Sequence, residues 1–291
     1  MDVSIIIVNY NTESLILDCI DSIYKQTKNL DYEIIVVDNA SPEGIKYLHN
    51  DNRISLIQAQ LNLGFGRANN LGAQYAVGRY LFFLNPDTLL VNNAIFILLD
   101  FMDKNELVGV CGGNLYTKDM LPCHSYKVVA PGLLYELNEL LKEFPSRTLW
   151  NDHFNYTDKC KEVAYITGAD LFIRKEIFEQ IGGFDKDFFM YFEETHLCYK
   201  VKKQGKKVVN VPQAKIIHLE GQSFKLKELR ESLFYEGRYK YLTKCYSPMY
   251  ITVCNMIGKM NCLINIAYFS LMRKKELIQI WKYRFEQLNK K

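Results

Sequence analysis

VSIIIVN (residues 3–9) and EIIVVD (residues 33–38) are continuous apolar, β-branched runs of strand length, each ending in polar residues where a helical spacing or a turn begins. Runs without polar alternation suit strands buried on both faces of a sheet. Between them Leu15, Cys19, Ile20 and Ile23 recur at helical spacing, with Thr12 or Ser14 as the N-cap. A strand, helix, strand unit follows, and its expected form is a parallel pair joined by a right-handed crossover.

The rhythm continues outward. A short strand at 54–57, a helix over 67–77 and a strong strand at 80–84 lead to Asn85-Pro86-Asp87. Weaker strands are predicted at 107–112, 125–130 and 162–173, then a helix over 191–203 and strands at 207–211 and 215–219. This alternation is the pattern of an α/β layered domain, with a mostly parallel sheet flanked by helices. From residue 225 onward the pattern is helical. Within 250–271, Val253, Ile257, Met260, Ile264, Ala267, Tyr268 and Leu271 form one apolar face of a predicted helix, opposite Thr252, Asn255, Lys259 and Ser270.

At 291 residues and 48% hydrophobic content, the chain can bury one large core or two modest ones. Its net charge of +3 is unevenly spread, since residues 225–291 hold 14 Lys and Arg against 5 Asp and Glu. The expected organisation is an acidic body over 1–224 and a basic, amphipathic helical region over 225–291. Lys259 and three asparagines interrupt the apolar run at 250–271, so surface attachment rather than membrane crossing is the expectation for that helix. The eight cysteines include no C-x-x-C pair, which argues against a zinc cluster or a redox motif. The opening residues read as a strand rather than a basic leader, so a cytoplasmic protein is expected. Nothing in the pattern points to nucleic acid.

In open α/β sheets ligands bind beyond the carboxyl ends of the strands. Three such ends carry Asn9-Tyr10-Asn11, Asp38-Asn39-Ala40-Ser41 and Asn85-Pro86-Asp87. Asp38 can accept hydrogen bonds from a base or a ribose, or cap a turn. Asp87, on a stiff proline turn, suits a hard divalent cation and phosphate oxygens. The glycines of NLGFGRANN (62–70) precede a helix whose amides can face a diphosphate, although the spacing is not the three-glycine dinucleotide fingerprint, which argues against an NAD-dependent oxidoreductase. In GGFDKDFFMYFEETHLC (182–198) Glu193 and Glu194 lie among aromatic residues, a setting that raises a carboxylate pKa and suits a general base. His218 ends the last strand run and can serve as a metal ligand.

Taken in order, SIIIVNYNT (4–12), EIIVVDNAS (33–41), NLGFGRANNLG (62–72), YLFFLNPDT (80–88), GADLFIRK (168–175), GGFDKDFFMYFEETHLC (182–198) and His218 resemble the family 2 glycosyltransferases of the GT-A fold, in particular the bacterial rhamnosyltransferase-like branch. The resemblance covers about residues 3–224. It implies that Val8, Asn11 and Asp38 line the nucleotide pocket and that Asn69 lies near the phosphates. Asp87 takes the metal-binding role of the D-x-D motif, and His218 is the second metal or diphosphate contact. The implied cofactor is Mg²⁺ or Mn²⁺. The implied reaction is inverting transfer from a nucleotide sugar, with dTDP-rhamnose as the branch-level donor, to a glycan or lipid-linked glycan acceptor. Glu194 aligns with the catalytic base, where the family carries Asp, and Glu193 and His196 fall on the acceptor side, His196 in place of a second Asp. These departures leave two alternatives, a nucleotide-sugar-binding protein of impaired catalysis and a transferase using a UDP-sugar. For residues 225–291, peripheral membrane contact, packing on the catalytic body and packing on a second copy of the chain are the partners that stay open.

Overall fold

The computed structural model describes residues 1–141, 153–219 and 227–289. Its elements run β1 (Val3–Asn9), α1 (Glu13–Gln26), β2 (Tyr32–Asp38), β3 (Ile54–Gln58), α2 (Phe65–Ala73), β4 (Tyr80–Leu84), β5 (Thr88–Leu90), α3 (Ala94–Asp103), β6 (Val108–Tyr116) and β7 (Tyr126–Lys127). They continue with α4 (Leu133–Leu141), β8 (Lys161–Glu162), β9 (Tyr165–Ile166), β10 (Asp170–Arg174), α5 (Lys175–Gln180), α6 (Glu193–Lys203), β11 (Lys207–His218), α7 (Lys227–Cys245), α8 (Pro248–Leu271) and α9 (Lys275–Asn289).

The chain divides into two compact units, one of Met1–Val128 with His153–Lys225 and one of Val129–Asp152 with Leu226–Lys291. The sequence pattern did not anticipate that residues 129–141 group with the C-terminal helices. The expected boundary at 224/225 lies outside the described residues.

The first unit is built on a sheet of order β3-β2-β1-β4-β10-β6-β11-β5, with β8 beside β11. β1 pairs in parallel with β2 and β4, and β6 with β11; β10 enters antiparallel between β4 and β6. This is the expected mixed, mostly parallel sheet. Because successive side chains point to opposite faces, the continuous apolar runs feed two cores. Ile5, Ile7, Val36 and Phe82 pack with Ile16, Cys19, Ile20 and Ile23 of α1 and with Leu98 and Met102 of α3. Ile6, Val8, Val37 and Phe83 pack on the other side with Ala68 of α2, Phe178 of α5 and Leu197 and Val201 of α6.

Several expected elements differ. The strand predicted at 162–173 is three pieces, because β8 pairs with β11, β9 with β7 in a separate ribbon, and β10 joins the main sheet. The strands expected at 207–211 and 215–219 form one, whose register on β6 shifts between Asn210 and Lys215. Pro212, which has no N–H to give a ladder, sits in that irregularity. α2 starts and ends earlier than 67–77, and β7 is shorter than 125–130. Thr12 occupies the N-cap of α1 but makes no side-chain capping bond; its hydroxyl donates to Asn9 Oδ1 instead.

In the second unit the apolar face expected on α8 is mostly exposed, and other residues of the helix are buried. Cys254, Gly258, Asn261, Cys262 and Asn265 are buried, whereas Val253, Met260, Ile264, Tyr268 and Leu271 are exposed. Close approach explains the choice, since a Cβ on Gly258 would stand 3.2 Å from both Glu136 Oε2 of α4 and Leu288 Cδ1 of α9. Small residues let the backbones meet, and Asn265 Nδ2 is satisfied by Asn261 within the helix. Arg238 of α7 donates to Glu136 Oε1 from Nε (2.9 Å) and Nη2 (2.7 Å), and to Asn255 Oδ1 from Nη1 (2.9 Å). Among the described residues no helix is long and apolar enough to cross a membrane.

Candidate functional site

Strand register brings the polar strand ends together. β1 and β2 are aligned so that Asn9 stands opposite Asp38. Asp38 is buried, and its Oδ1 accepts from Asn9 Nδ2 (2.8 Å) and Ser41 Oγ (2.6 Å). Asn9 Oδ1 in turn accepts from the Thr12 amide (3.0 Å), so Asp38 is held by a connected polar network at the sheet edge. Asn11 adopts a left-handed conformation (φ 55°), its amide donating to Ser41 Oγ at 2.9 Å. Val8 is buried, with its side chain in the core that faces α2. Asn9 and Ser41 are the residues whose roles the sequence left unassigned; their place at strand ends was the available signal.

β11 pairs antiparallel with β5, setting His218 opposite Thr88 and beside Asp87. His218 Nε2 lies 3.3 Å from Asp87 Oδ1 and 3.5 Å from Asn85 Nδ2. Thr88 Oγ1 donates to the Asn85 carbonyl (2.7 Å) and the Leu219 amide to the Asp87 carbonyl (2.9 Å), which fixes the proline turn. Asp87 is buried, and its Oδ1 accepts no hydrogen bond among the described residues, although a buried carboxylate oxygen is costly to leave unserved. Hard oxygen and imidazole nitrogen at this spacing fit a divalent cation completed by phosphate oxygens and water. Among the described residues no group of three or more His, Cys, Asp or Glu side chains has metal-binding spacing. Asp87 and His218 are a side-chain pair whose chemistry fits Mg²⁺ or Mn²⁺.

The glycine loop joins these strand ends to α6. Asn39 accepts from the Leu63 amide (2.8 Å) and donates to Asn62 Oδ1 (3.0 Å), fastening the loop that begins α2. Gly64, at φ 78° and ψ −179°, occupies backbone space essentially reserved for glycine, and a Cβ there would collide with the Phe189 carbonyl. That carbonyl accepts from the Phe65 amide at 2.9 Å. Asn70 makes a reciprocal pair with Phe184, donating to its carbonyl (2.7 Å) and accepting from its amide (2.9 Å). Asn69, also buried on α2, donates to the Phe65 carbonyl at 3.1 Å. α2 thus holds residues 184–189 at both ends, and the sequence had not singled out Asn70.

Tyr191 and Phe192 both have φ 69°, a left-handed pair that turns the chain sharply into α6. Two non-glycine residues in this region cost on the order of 1–3 kcal/mol each, and such strain persists where surrounding structure over-determines it. The turn starts α6 at Glu193 and Glu194. Glu194 lies beside the start of β10, where a Cβ on Gly168 would be 3.9 Å from its Cβ, and it accepts from Thr195 Oγ1 at 3.2 Å. Burial pushes the Glu194 carboxyl above its ordinary range. Glu193 lies deeper, against α2; burial, and secondarily the charge of Glu194, hold it well above that range. His196 points elsewhere on the helix, its Nδ1 3.6 Å from Asp185 Oδ2 and its ring against Phe188 and Tyr199.

The chain is 26% identical over 220 residues to the low-salt glycan biosynthesis hexosyltransferase Agl10 of Haloferax volcanii, covering 74% of this chain and 66% of that protein. It is 25% identical over 206 residues to an N-acetylglucosaminyl-diphospho-decaprenol L-rhamnosyltransferase of Mycobacterium tuberculosis, covering 65% and 67%. The chain thus spans just under two thirds of the archaeal relative's length. Its fold matches a mannosyltransferase from Pyrobaculum calidifontis solved with GDP-Man and Mn²⁺, with a TM-score of 0.62 at 15% identity, over 99% of this chain and 86% of that one. The expected GT-A architecture is thereby shown. Residues 121–281 match the glycosyl transferase family group 2 profile. Residues 4–182, more than half of the chain and the whole span from the first strand through the glycine loop and the Asn-Pro-Asp turn to β10, match Glycosyl transferase family 2, and the chain belongs to that family.

Proposed function

We propose that the chain is an inverting glycosyltransferase of cell-surface glycan biosynthesis, moving a sugar from a nucleoside diphosphate donor to a hydroxyl of a glycan or lipid-linked glycan precursor. The observation that carries this reading is the Asp87–His218 pair, 3.3 Å apart on the same strand-end edge that holds Asp38. Asp38 meets the nucleoside, Asn69 and the α2 amides stand toward the diphosphate, and Asp87 with His218 would hold Mg²⁺ or Mn²⁺. When bound, the cation supplies positive charge to the departing diphosphate. Glu194 accepts the acceptor hydroxyl's proton as that oxygen forms its bond to the anomeric carbon and the bond to the diphosphate oxygen breaks. Attack opposite the leaving group inverts the centre.

The relatives' hexosyl and L-rhamnosyl activities and the GDP-Man and Mn²⁺ of the structural neighbour support the class of donor and cofactor. dTDP-rhamnose is the donor proposed, with UDP-sugars as the competing set. Glu193, buried against α2, and His196, turned toward Asp185, shape the acceptor side only by holding α6 in place, and residues 225–291 meet the inner face of the cytoplasmic membrane. Calorimetric titration of dTDP-, UDP- and GDP-sugars with and without Mn²⁺ tests the donor half, with Asp87→Asn and His218→Ala as controls. Metal-dependent binding of one donor, weakened by both substitutions, is expected; no metal-dependent binding to any donor sinks the reading. Glu194→Gln should keep donor affinity within about twofold and lower kcat by about 10²–10⁴-fold. Donor binding without turnover in the unmodified chain would instead make it a nucleotide-sugar-binding protein.

A further inference from the structure

We infer that the outward face of α8 lies in the headgroup layer of an anionic lipid bilayer, parallel to its surface. The inference deepens the membrane contact named above and rests on that reading of residues 225–291. Met249 (80% exposed), Met256 (64%), Leu263 (54%) and Leu271 (85%) lead an apolar array that Val253, Met260, Ile264 and Tyr268 complete. The inward face of the same helix is spent on Gly258, Asn261 and Asn265, so the apolar side chains are those the described residues leave exposed. At 3.6 residues per turn they subtend an arc of about 140° along a helix roughly 36 Å long. That is wider than the seam of paired residues a coiled coil uses.

Charge selects the occupant. Residues 237–275 contain no Asp or Glu, and the exposed Arg273, Lys274 and Lys275 follow directly on the end of the apolar face, with Lys259 at its middle. An apolar strip with cations at its border complements acyl chains beneath anionic headgroups. A second copy would set one 225–291 region, with 14 basic and 5 acidic residues, against another of the same sign. α8 also cannot cross a bilayer, because no described helix is long and apolar enough. It lies on the surface rather than through it.

Vesicle flotation of the full chain, without donor or acceptor, tests this independently of sugar transfer. The chain should float with vesicles containing phosphatidylglycerol and far less with pure phosphatidylcholine. The triple variant M256Q/L263Q/L271Q, altered only at exposed positions, should lose at least about tenfold in partitioning. R273Q/K274Q/K275Q should lose about 100-fold at low salt. Both variants should keep the thermal midpoint and donor affinity of the parent. Equal flotation of parent and face variant overturns the inference. So does a chain that ignores both vesicles but is a dimer by light scattering and becomes monomeric in the face variant, which would assign α8 to a second copy.

Discussion

Glu194 is the base proposed for the acceptor hydroxyl, and its environment sets a pH signature. Burial raises its carboxyl above the usual 4.5. The base must be ionised, so activity is lost as pH falls through the raised folded value. The acid limb of the kcat/KM profile should therefore lie above pH 4.5, and an acid limb at or below the ordinary carboxylate value would remove Glu194 from the role. Asn70 shows how a residue far from the chemistry fixes it. Asn70→Ala removes both hydrogen bonds to Phe184 and leaves a buried amide and carbonyl unserved, at about 1–3 kcal/mol each. Chemical unfolding should report that loss, while Asn70→Asp, which retains the acceptor for the Phe184 amide, should restore part of it. Asp38, Asp87 and His218 could be singled out from the sequence because each ends an apolar run. Asn70 could not, because its partner is 114 residues away.

At the scale of elements, the connection between α2 and the turn into α6 joins the glycine loop to the proposed base Glu194. Gly64→Ala places a side chain where only glycine fits and displaces the Phe189 carbonyl. Thermal unfolding should show a loss of about 2 kcal/mol or more, and steady-state kinetics should show kcat falling more than donor affinity. Loss of donor affinity with kcat unchanged would place the loop in donor binding alone. β10 offers a second test. Asp170 Oδ2 accepts from the Gly113 amide at 2.6 Å, its Oδ1 has no hydrogen bond among the described residues, and burial raises its carboxyl well above 3.8. A carboxyl raised in the folded state contributes stability at low pH that is lost as pH rises through the folded value. Asp170→Asn mimics the protonated form, so its Tm advantage over the parent should grow as pH rises above the ordinary carboxylate value of 3.8. A constant difference across that range would mean the carboxyl is not perturbed.

At the scale of the molecule, each unit rests on its own interior. In the helical unit the buried Arg238–Glu136 pair is the electrostatic centre, with the Glu136 carboxyl raised by burial and drawn back down by Arg238. Arg238→Leu should cost about 3–5 kcal/mol in denaturant unfolding, because it strands Glu136, whereas replacing both residues by Leu should cost far less. Similar losses for the single and double variants would deny the pair that role. The α/β class, the order of strands from Val3 to Leu84 and the polar strand ends were determined by the sequence itself, because a strand buried on both faces needs an unbroken apolar run and a ligand edge needs polar residues at its end. Where 162–173 would break, and which side of α8 would pack, were decided only by tertiary structure. β-pairing partners distant in the chain chose the first, and the close backbone approach at Gly258 chose the second, burying small and polar residues while apolar ones stayed outside. Periodicity records that a helix has two faces; which of them finds protein depends on neighbours that the local sequence does not encode.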